Sequence, residues 1–246
     1  MLKNYVVMDM EMTGLSSFRD KIIEIGAVKV CEGEIKYEYA TLVNPNIMIP
    51  ERIVEITGIT NEMVKDKPYI NEIFKNFLDF IGDDVIIGHN LKFDFSFLMQ
   101  AKYDIETAEK VTLCAKQKKW YGIDTLKIAR KCLDKDLSKR LEDLCVHYHI
   151  CDSHHHRALN DAVVTKYVYE KLCEEFETVE NIFLPEQYTY KPKKERMPSK
   201  KEIERVQRII TRLNIKQPED IYRMNQSDLS RYADRLLSFY GNGIVI

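Results

Sequence analysis

Three strand-like segments crowd the first forty-five residues, and they constrain the rest of the chain. YVVMDM (5–10) is β-branched and aromatic. IIEIGAVKV (22–30) and EIKYEYATLV (34–43) flank the turn signal Glu32-Gly33-Glu34, the pattern of a hairpin. Pro45 and Pro50 mark an exit loop. Strands that come first need helices to cover them, and the sequence supplies these next.

Residues 70–81 place Ile70, Ile73, Phe74, Phe77, Leu78 and Ile81 at helical spacing, which predicts an amphipathic helix packing on a sheet. VIIG (85–88) reads as a short buried strand. Helices are expected over 95–103, 124–133, 138–149 with Ser138 as N-cap, and 157–177. The last has Ala158, Ala162, Val163, Tyr167 and Leu172 suited to burial. Strands leading and then alternating with helices indicate an α/β domain with a mixed sheet flanked by helices. It should occupy residues 1–184.

Residues 185–201 (PEQYTYKPKKERMPSKK) hold three prolines and a basic run at no periodicity, a linker by composition. Beyond it, residues 202–246 form a small helical appendage. Ile203, Val206, Ile210 and Leu213 make one amphipathic helix. Leu229, Ala233, Leu236 and Leu237 make another, closed by Gly241.

The net charge is −2, but it is unevenly spread. Residues 185–246 carry 13 Lys/Arg against 8 Asp/Glu, so an acidic body bears a basic tail suited to a polyanion. No stretch approaches the roughly eighteen apolar residues of a transmembrane helix, so no membrane partner is expected. The start, MLKNYVVMDMEMTG, carries acids inside its apolar stretch, unlike a signal peptide, and a cytoplasmic location is expected. The six cysteines (31, 114, 132, 145, 151, 173) form no CxxC pair and read as free thiols. Cys145, His147, His149 and Cys151 match no usual zinc spacing, and Cys145 shares a helical face with Leu141 and Leu144. His154 and His155 read as loop residues.

Asp9 and Glu11 stand at i and i+2 near the end of the first strand. That spacing puts both carboxylates on one face, about 7 Å apart along the chain. Asp94 opens a helix after the central strand, in GHNLKFDFSFL, and Asp161 lies in HHHRALNDAVV on the last long helix. Four acids converging from two strand ends and two helices would repel one another, so they imply a metal. A hard divalent cation takes oxygen ligands of this kind.

These segments resemble the DEDD exonuclease superfamily, in the branch with a catalytic histidine that includes the proofreading epsilon subunit of bacterial DNA polymerase III. VVMDMEMTGL (6–15), IGHNLKFDFSFL (87–98) and HRALNDA (156–162) match its three motifs in order. ITGITNEMV (56–64) and LEDLCVHYHI (141–150) resemble connecting segments, and the likeness spans about residues 4–175. It implies a ribonuclease-H-like fold and metal-dependent 3′→5′ exonuclease activity on single-stranded nucleic acid, DNA favoured, releasing 5′-mononucleotides. Met12 stands where proofreading members often have Thr, while oligoribonucleases can read EMTG. Two alternatives therefore stay open. One is a proofreading subunit acting only with a separate polymerase, which would dock on 202–246. The other is an oligoribonuclease-like exoribonuclease.

By the same resemblance, two Mg²⁺ ions, replaceable by Mn²⁺, sit about 3.5–4 Å apart. Asp9 bridges them, Glu11 and Asp161 complete the site of the water-bearing ion, and Asp94 acts on the second. His156 is the implied general base, since imidazole titrates near neutral pH. It precedes Asp161 by five residues, about 140° around a helix, so it belongs to the entering loop. Met12, Thr13, Gly14 and Leu15 form the turn that meets the terminal nucleotide, and Asn90 and Phe93 are candidates for the substrate floor. Of Phe93, Phe95 and Phe97, two should be core. In the tail, Lys191, Lys193, Lys194, Arg196, Lys200 and Lys201 interleave with Tyr188 and Tyr190, and Arg205, Arg208 and Arg212 form a stripe. Lysines release counterions from phosphates and tyrosines stack on bases, so residues 185–246 are expected to hold the strand.

Overall fold

The first strand, β1 (Tyr5–Met12), lies inside a six-stranded sheet. The computed structural model describes residues 1–113, 118–150, 157–179 and 181–241, the last four by backbone alone. β1 pairs antiparallel with β2 (Ile22–Cys31), which pairs antiparallel with β3 (Glu34–Leu42). Glu32 and Gly33 both take positive φ at the hairpin turn between them. On its other side β1 pairs parallel with β4 (Ile86–Gly88), then come β5 (Trp120–Asp124) and β6 (Glu186–Tyr188). The order is β3-β2-β1-β4-β5-β6, a mixed sheet of the ribonuclease-H-like kind.

Between β3 and β4 run α1 (Glu51–Thr57), α2 (Asn61–Val64) and α3 (Ile70–Ile81). The first two fall where the sequence predicts only a loop, while α3 has the predicted bounds. α4 (Leu91–Glu109) begins four residues before the expected helix. α5 (Thr125–Cys132) follows β5 directly, capped by Asp124, whose carboxylate accepts from the Leu126 and Lys127 amides. α6 (Leu141–His147) starts later than expected. Ser138 is not its cap, because its hydroxyl donates to Asp143 at 2.5 Å and Arg140 takes the capping position. α7 (Ala158–Glu175) is the last helix of this part of the chain.

The side-chain alternation of β1 sorts the two faces. Val6, Met8, Met10 and Met12 enter one core with Phe74, Phe77, Leu91, Phe95 and Leu98. Tyr5 and Val7 enter the other with Ile128, Leu144, Ala162, Val168 and Leu172. Asp9 and Glu11 continue the second parity, so they leave β1 on the side covered by α7.

The chain divides into two compact units, Met1–Lys191 and Pro192–Ile246. The expected boundary at Leu184 thus moves, because residues 186–188 add a strand to the sheet. Trp120 pairs with Tyr188, and the Tyr188 ring meets Phe95 edge-on at 5.4 Å. Tyr190 shares hydrogen bonds with Ser17 (3.0 Å) and Gln100 (2.9 Å). The two tyrosines expected to stack on bases are therefore structural parts of the first unit.

The second unit holds α8 (Lys200–Arg212) and α9 (Gln226–Gly241). Ser199 and Glu202 form a capping box at the start of α8, and Arg196 pairs with Glu202 at 3.0 Å. Val206, Ile210, Ile221, Leu229, Ala233 and Leu236 make its core. Leu229 and Leu236 are thus buried within the unit and are not available to dock a partner, while Leu237 is exposed. Arg205, Arg208 and Arg212 are exposed. Among the described residues no helix is long and apolar enough to cross a membrane.

Candidate active site

Asp9, Glu11 and Asp161 each offer a carboxylate oxygen, all within 4.8 Å of one another. Period-2 alternation supplies the first two and the opening turn of α7 supplies the third. Asp161 stands there because Gly26 lets the helix touch the sheet. Gly26 is the cross-strand partner of Asp9, and a Cβ on it would overlap the Ala158 carbonyl carbon and the Leu159 nitrogen. Any side chain at 26 would lift the end of α7 that bears Asp161.

Asp94 takes a different place. β4 pairs with β1 only at Val6–Ile86 and Val7–Ile87, so farther along β1 the Met10 amide is open on that edge. It donates to Asp94 Oδ1 at 3.1 Å. Asp94 is buried, lies outside the three-oxygen group, and raises the proton affinity of Asp9 through its charge.

The electrostatics are those of crowded anions. Burial, then Asp94, Asp161 and Glu11, push the Asp9 carboxyl well above the usual carboxylate range. Burial, then Asp161 and Glu24, push Glu11 up to about 8, with Arg157 opposing. Burial raises Asp94 as well, against the Met10 hydrogen bond. Oxygen-only donors whose anionic state is disfavoured until a positive charge arrives are the chemistry a hard divalent cation satisfies. Among the described residues no other group of three His, Cys, Asp or Glu side chains could hold a metal, and Cys145 is buried in the core.

Sequence patterns alone do not single out Glu24 and Arg157. The β1–β2 register sets Glu24 directly opposite Glu11, and like charges in that relation are destabilising. Glu24 is only 5% exposed. Arg157 relieves it with a forked contact, Nη2 to Oε1 at 2.7 Å and Nε to Oε1 at 3.0 Å. The second carboxylate oxygen accepts from the Ala158 amide at 3.0 Å. The pair thus fastens the start of α7 to β2. One signal was available: a lone acid inside the apolar run IIEIG demands a partner.

The remaining candidates spread around this centre. Met12 follows a register irregularity and its side chain is buried in the core, so only its backbone can face a ligand. Thr13 is buried, its hydroxyl accepting from the Lys21 amide at 2.9 Å and its own amide donating to the Lys21 carbonyl at 2.8 Å. These bonds brace the turn containing Gly14. Leu15 at its tip is 87% exposed, an apolar side chain with no cover. Asn90 takes a left-handed conformation ahead of α4, and its amide donates to Asp124 at 3.0 Å. Phe93 is half-buried against Phe97, whereas Phe95 and Phe97 belong to the core. His156, with His154 and His155, lies outside the described residues.

The chain is similar to known exonucleases. The family profile RNase_T, described as Exonuclease, matches residues 6–169. DNA polymerase III subunit epsilon of Aquifex aeolicus is 34% identical over 173 residues, covering 70% of this chain and 81% of that protein. DNA polymerase III PolC-type of Clostridium perfringens is 39% identical over 189 residues, but these cover 75% of this chain and 12% of that protein. The chain thus spans only about an eighth of the PolC-type relatives' length. Among solved structures, Exonuclease X in complex with 5′ overhanging duplex DNA is similar with a TM-score of 0.56 at 25% identity, over 70% of this chain and 93% of that one. Escherichia coli Exonuclease I with a dT13 oligonucleotide shares the fold, with a TM-score of 0.62 at 18% identity over 72% and 43% of the chains.

Proposed function

We propose, for a chain that belongs to the RNase_T exonuclease family, that it removes 5′-mononucleotides from the 3′ end of single-stranded nucleic acid, with DNA preferred. The observation that carries the reading is the three-oxygen group of Asp9, Glu11 and Asp161 with Asp94 behind it. Mg²⁺ or Mn²⁺ ions held there would supply an activated water and offset the charge that develops on the phosphorus oxygens. By the family resemblance, Asp9 would bridge two ions, Glu11 and Asp161 would complete the site of one, and Asp94 would serve the other. His156 takes the proton from the attacking water. Leu15 rests its exposed side chain on the terminal base, and the Thr13–Gly14 backbone faces the sugar. Asn90 and Phe93 border the floor.

The DNA preference draws support from the polymerase relatives and from the DNA bound to Exonuclease X. Those relatives' names also favour a second reading, in which a separate polymerase presents the strand. Strand holding by the second unit rests on its exposed Arg205, Arg208 and Arg212 and on the basic run before them.

The test uses 5′-labelled single-stranded DNA and RNA oligomers with the purified chain, in Mg²⁺ and in chelator. A ladder shortened one nucleotide at a time from the 3′ end, present only with metal, is expected. Internal cuts, shortening from the 5′ end, or activity that survives chelation would overturn the reading. A rate that rises steeply on adding a polymerase would favour the second.

A further inference from the structure

A second candidate site lies at the ends of the central strands. A pocket of about 690 Å³ opens where β4 and β5 end, lined by His89, Asn90, Arg130, Lys135, Lys139 and Arg140 with Leu126 and Leu137. Four of these eight residues are Lys or Arg and none is acidic. The surrounding unit is the opposite, with 25 Lys/Arg against 32 Asp/Glu in residues 1–191. Positive charge is therefore concentrated here against the trend of the unit.

The pocket is built rather than incidental. His89 Nε2 bonds the Lys139 carbonyl at 2.9 Å, and Nδ1 bonds Thr125 Oγ1 at 2.9 Å. A carbonyl can only accept, so Nε2 carries the hydrogen. Burial of the ring, assisted by neighbouring Arg130, lowers the proton affinity of His89. A neutral ring with hydrogen on Nε2 accepts at Nδ1 from the Thr125 hydroxyl. The imidazole thus straps the 133–140 loop to the strand ends. Lys139 reinforces the loop by donating to the Asp134 and Leu137 carbonyls. Arg140 is committed to Glu142 (2.9 Å) and Asp143 (2.7 Å). Arg130 and Lys135 are exposed and make no ion pair among the described residues.

Asn90, on the pocket wall, precedes α4, and Asp94 lies one helical turn further on, bonded to the strand between Asp9 and Glu11. The first turn of α4 thus joins the pocket wall at Asn90 to Asp94. We infer that this pocket is a phosphate subsite, in which Arg130 and Lys135 hold backbone phosphates of the single strand beyond the scissile one. The inference rests on the exonuclease reading and adds a second anchoring point to it.

The experiment compares the full chain with Arg130→Gln/Lys135→Gln on two substrates, a 5′-hydroxyl dinucleotide and a 12-nucleotide single strand, in Mg²⁺. The dinucleotide's single phosphate is the scissile one, so it cannot fill a second phosphate site. The variant is expected to cleave the dinucleotide at the wild-type rate. Its kcat/KM on the long strand should fall about tenfold, with the slope of log kcat/KM against log salt shallower by about 1 to 2. Equal loss on both substrates, or no loss on either, would overturn the subsite. A wild-type chain that degrades neither substrate would instead overturn the exonuclease reading.

Discussion

Replacing Glu11 with Gln separates the folding cost of the acid cluster from its chemistry. Without metal, the Glu11 carboxyl is held at about 8, against 4.5 for an ordinary glutamate. Between those pH values the folded protein binds a proton that the unfolded chain has released, so stability falls as pH rises. The amide of the Glu11→Gln variant mimics the protonated acid and has no proton to lose. At pH 7 the relevant span is about 2.5 pH units at about 1.36 kcal/mol each, a gain of up to about 3 kcal/mol for Glu11→Gln. The gain should vanish near pH 4.5 and level off above pH 8. With a urea dependence of about 2–3 kcal/mol per molar, the midpoint at pH 7 should rise by about 1 M. Trp120 is the only tryptophan and lies buried against Phe95, so its fluorescence reports the first unit. In saturating Mg²⁺ the sign should reverse, because the variant lacks an anionic ligand. Matching midpoints for both proteins in chelator from about pH 5 to about pH 8 would show that the folded protein does not hold Glu11 protonated.

Asp9→Ala or Asp161→Asn should abolish hydrolysis without lowering metal-free thermal stability, and near-wild-type turnover in either would remove those residues from the site. His156→Ala should slow cleavage by about 10²–10⁴ at neutral pH with metal affinity nearly unchanged, as read by single-turnover kinetics and calorimetry; an unchanged rate would shift attention to His154 or His155. Glu24→Gln weakens the forked Arg157 contact and should cost about 2 kcal/mol in urea unfolding, together with activity, because the start of α7 loosens. A chain ending at Lys191 should keep its cleavage of very short oligomers while binding long single strands more weakly and with a smaller salt slope. Unchanged binding would show that the second unit is no nucleic-acid arm.

The parts legible in the sequence are those with a strong local period or a strong chemical demand. β1, β2, β3 and α3 follow from apolar alternation and helical spacing, and the acids follow from charges set in apolar surroundings read together with the three exonuclease-like motifs that hold them. β5 and β6 are not legible. WYGID carries a glycine and runs straight into a helix, and EQY is three residues in a proline- and lysine-rich stretch. Their strand state comes from pairing with each other and from the aromatic contact of Tyr188 with Phe95, both long-range. Glu24 is hidden for a related reason, since its importance depends on the cross-strand register with Glu11 and on Arg157, far away in the chain. The cations of the β4–β5 pocket look like ordinary surface charge until the fold gathers them.

The close seat of α7 on Gly26 has a consequence for assembly. Everything needed for the sheet centre, from β1 through β5, is made before α7 leaves the ribosome, and up to that point Asp161 contributes no repulsion. The electrostatic cost falls on the step in which α7 lays its first turn against β2, with the Glu24–Arg157 fork as its counterweight. A divalent cation held by all three oxygens would favour the docked helix over the undocked one by RT ln(1 + [M]/Kd), because only the docked form presents them together. On the proposed reading, free metal concentration would act on this chain twice, on cleavage and on how firmly α7 stays closed over the hydrophobic face of Tyr5, Val7 and Val28 beneath it.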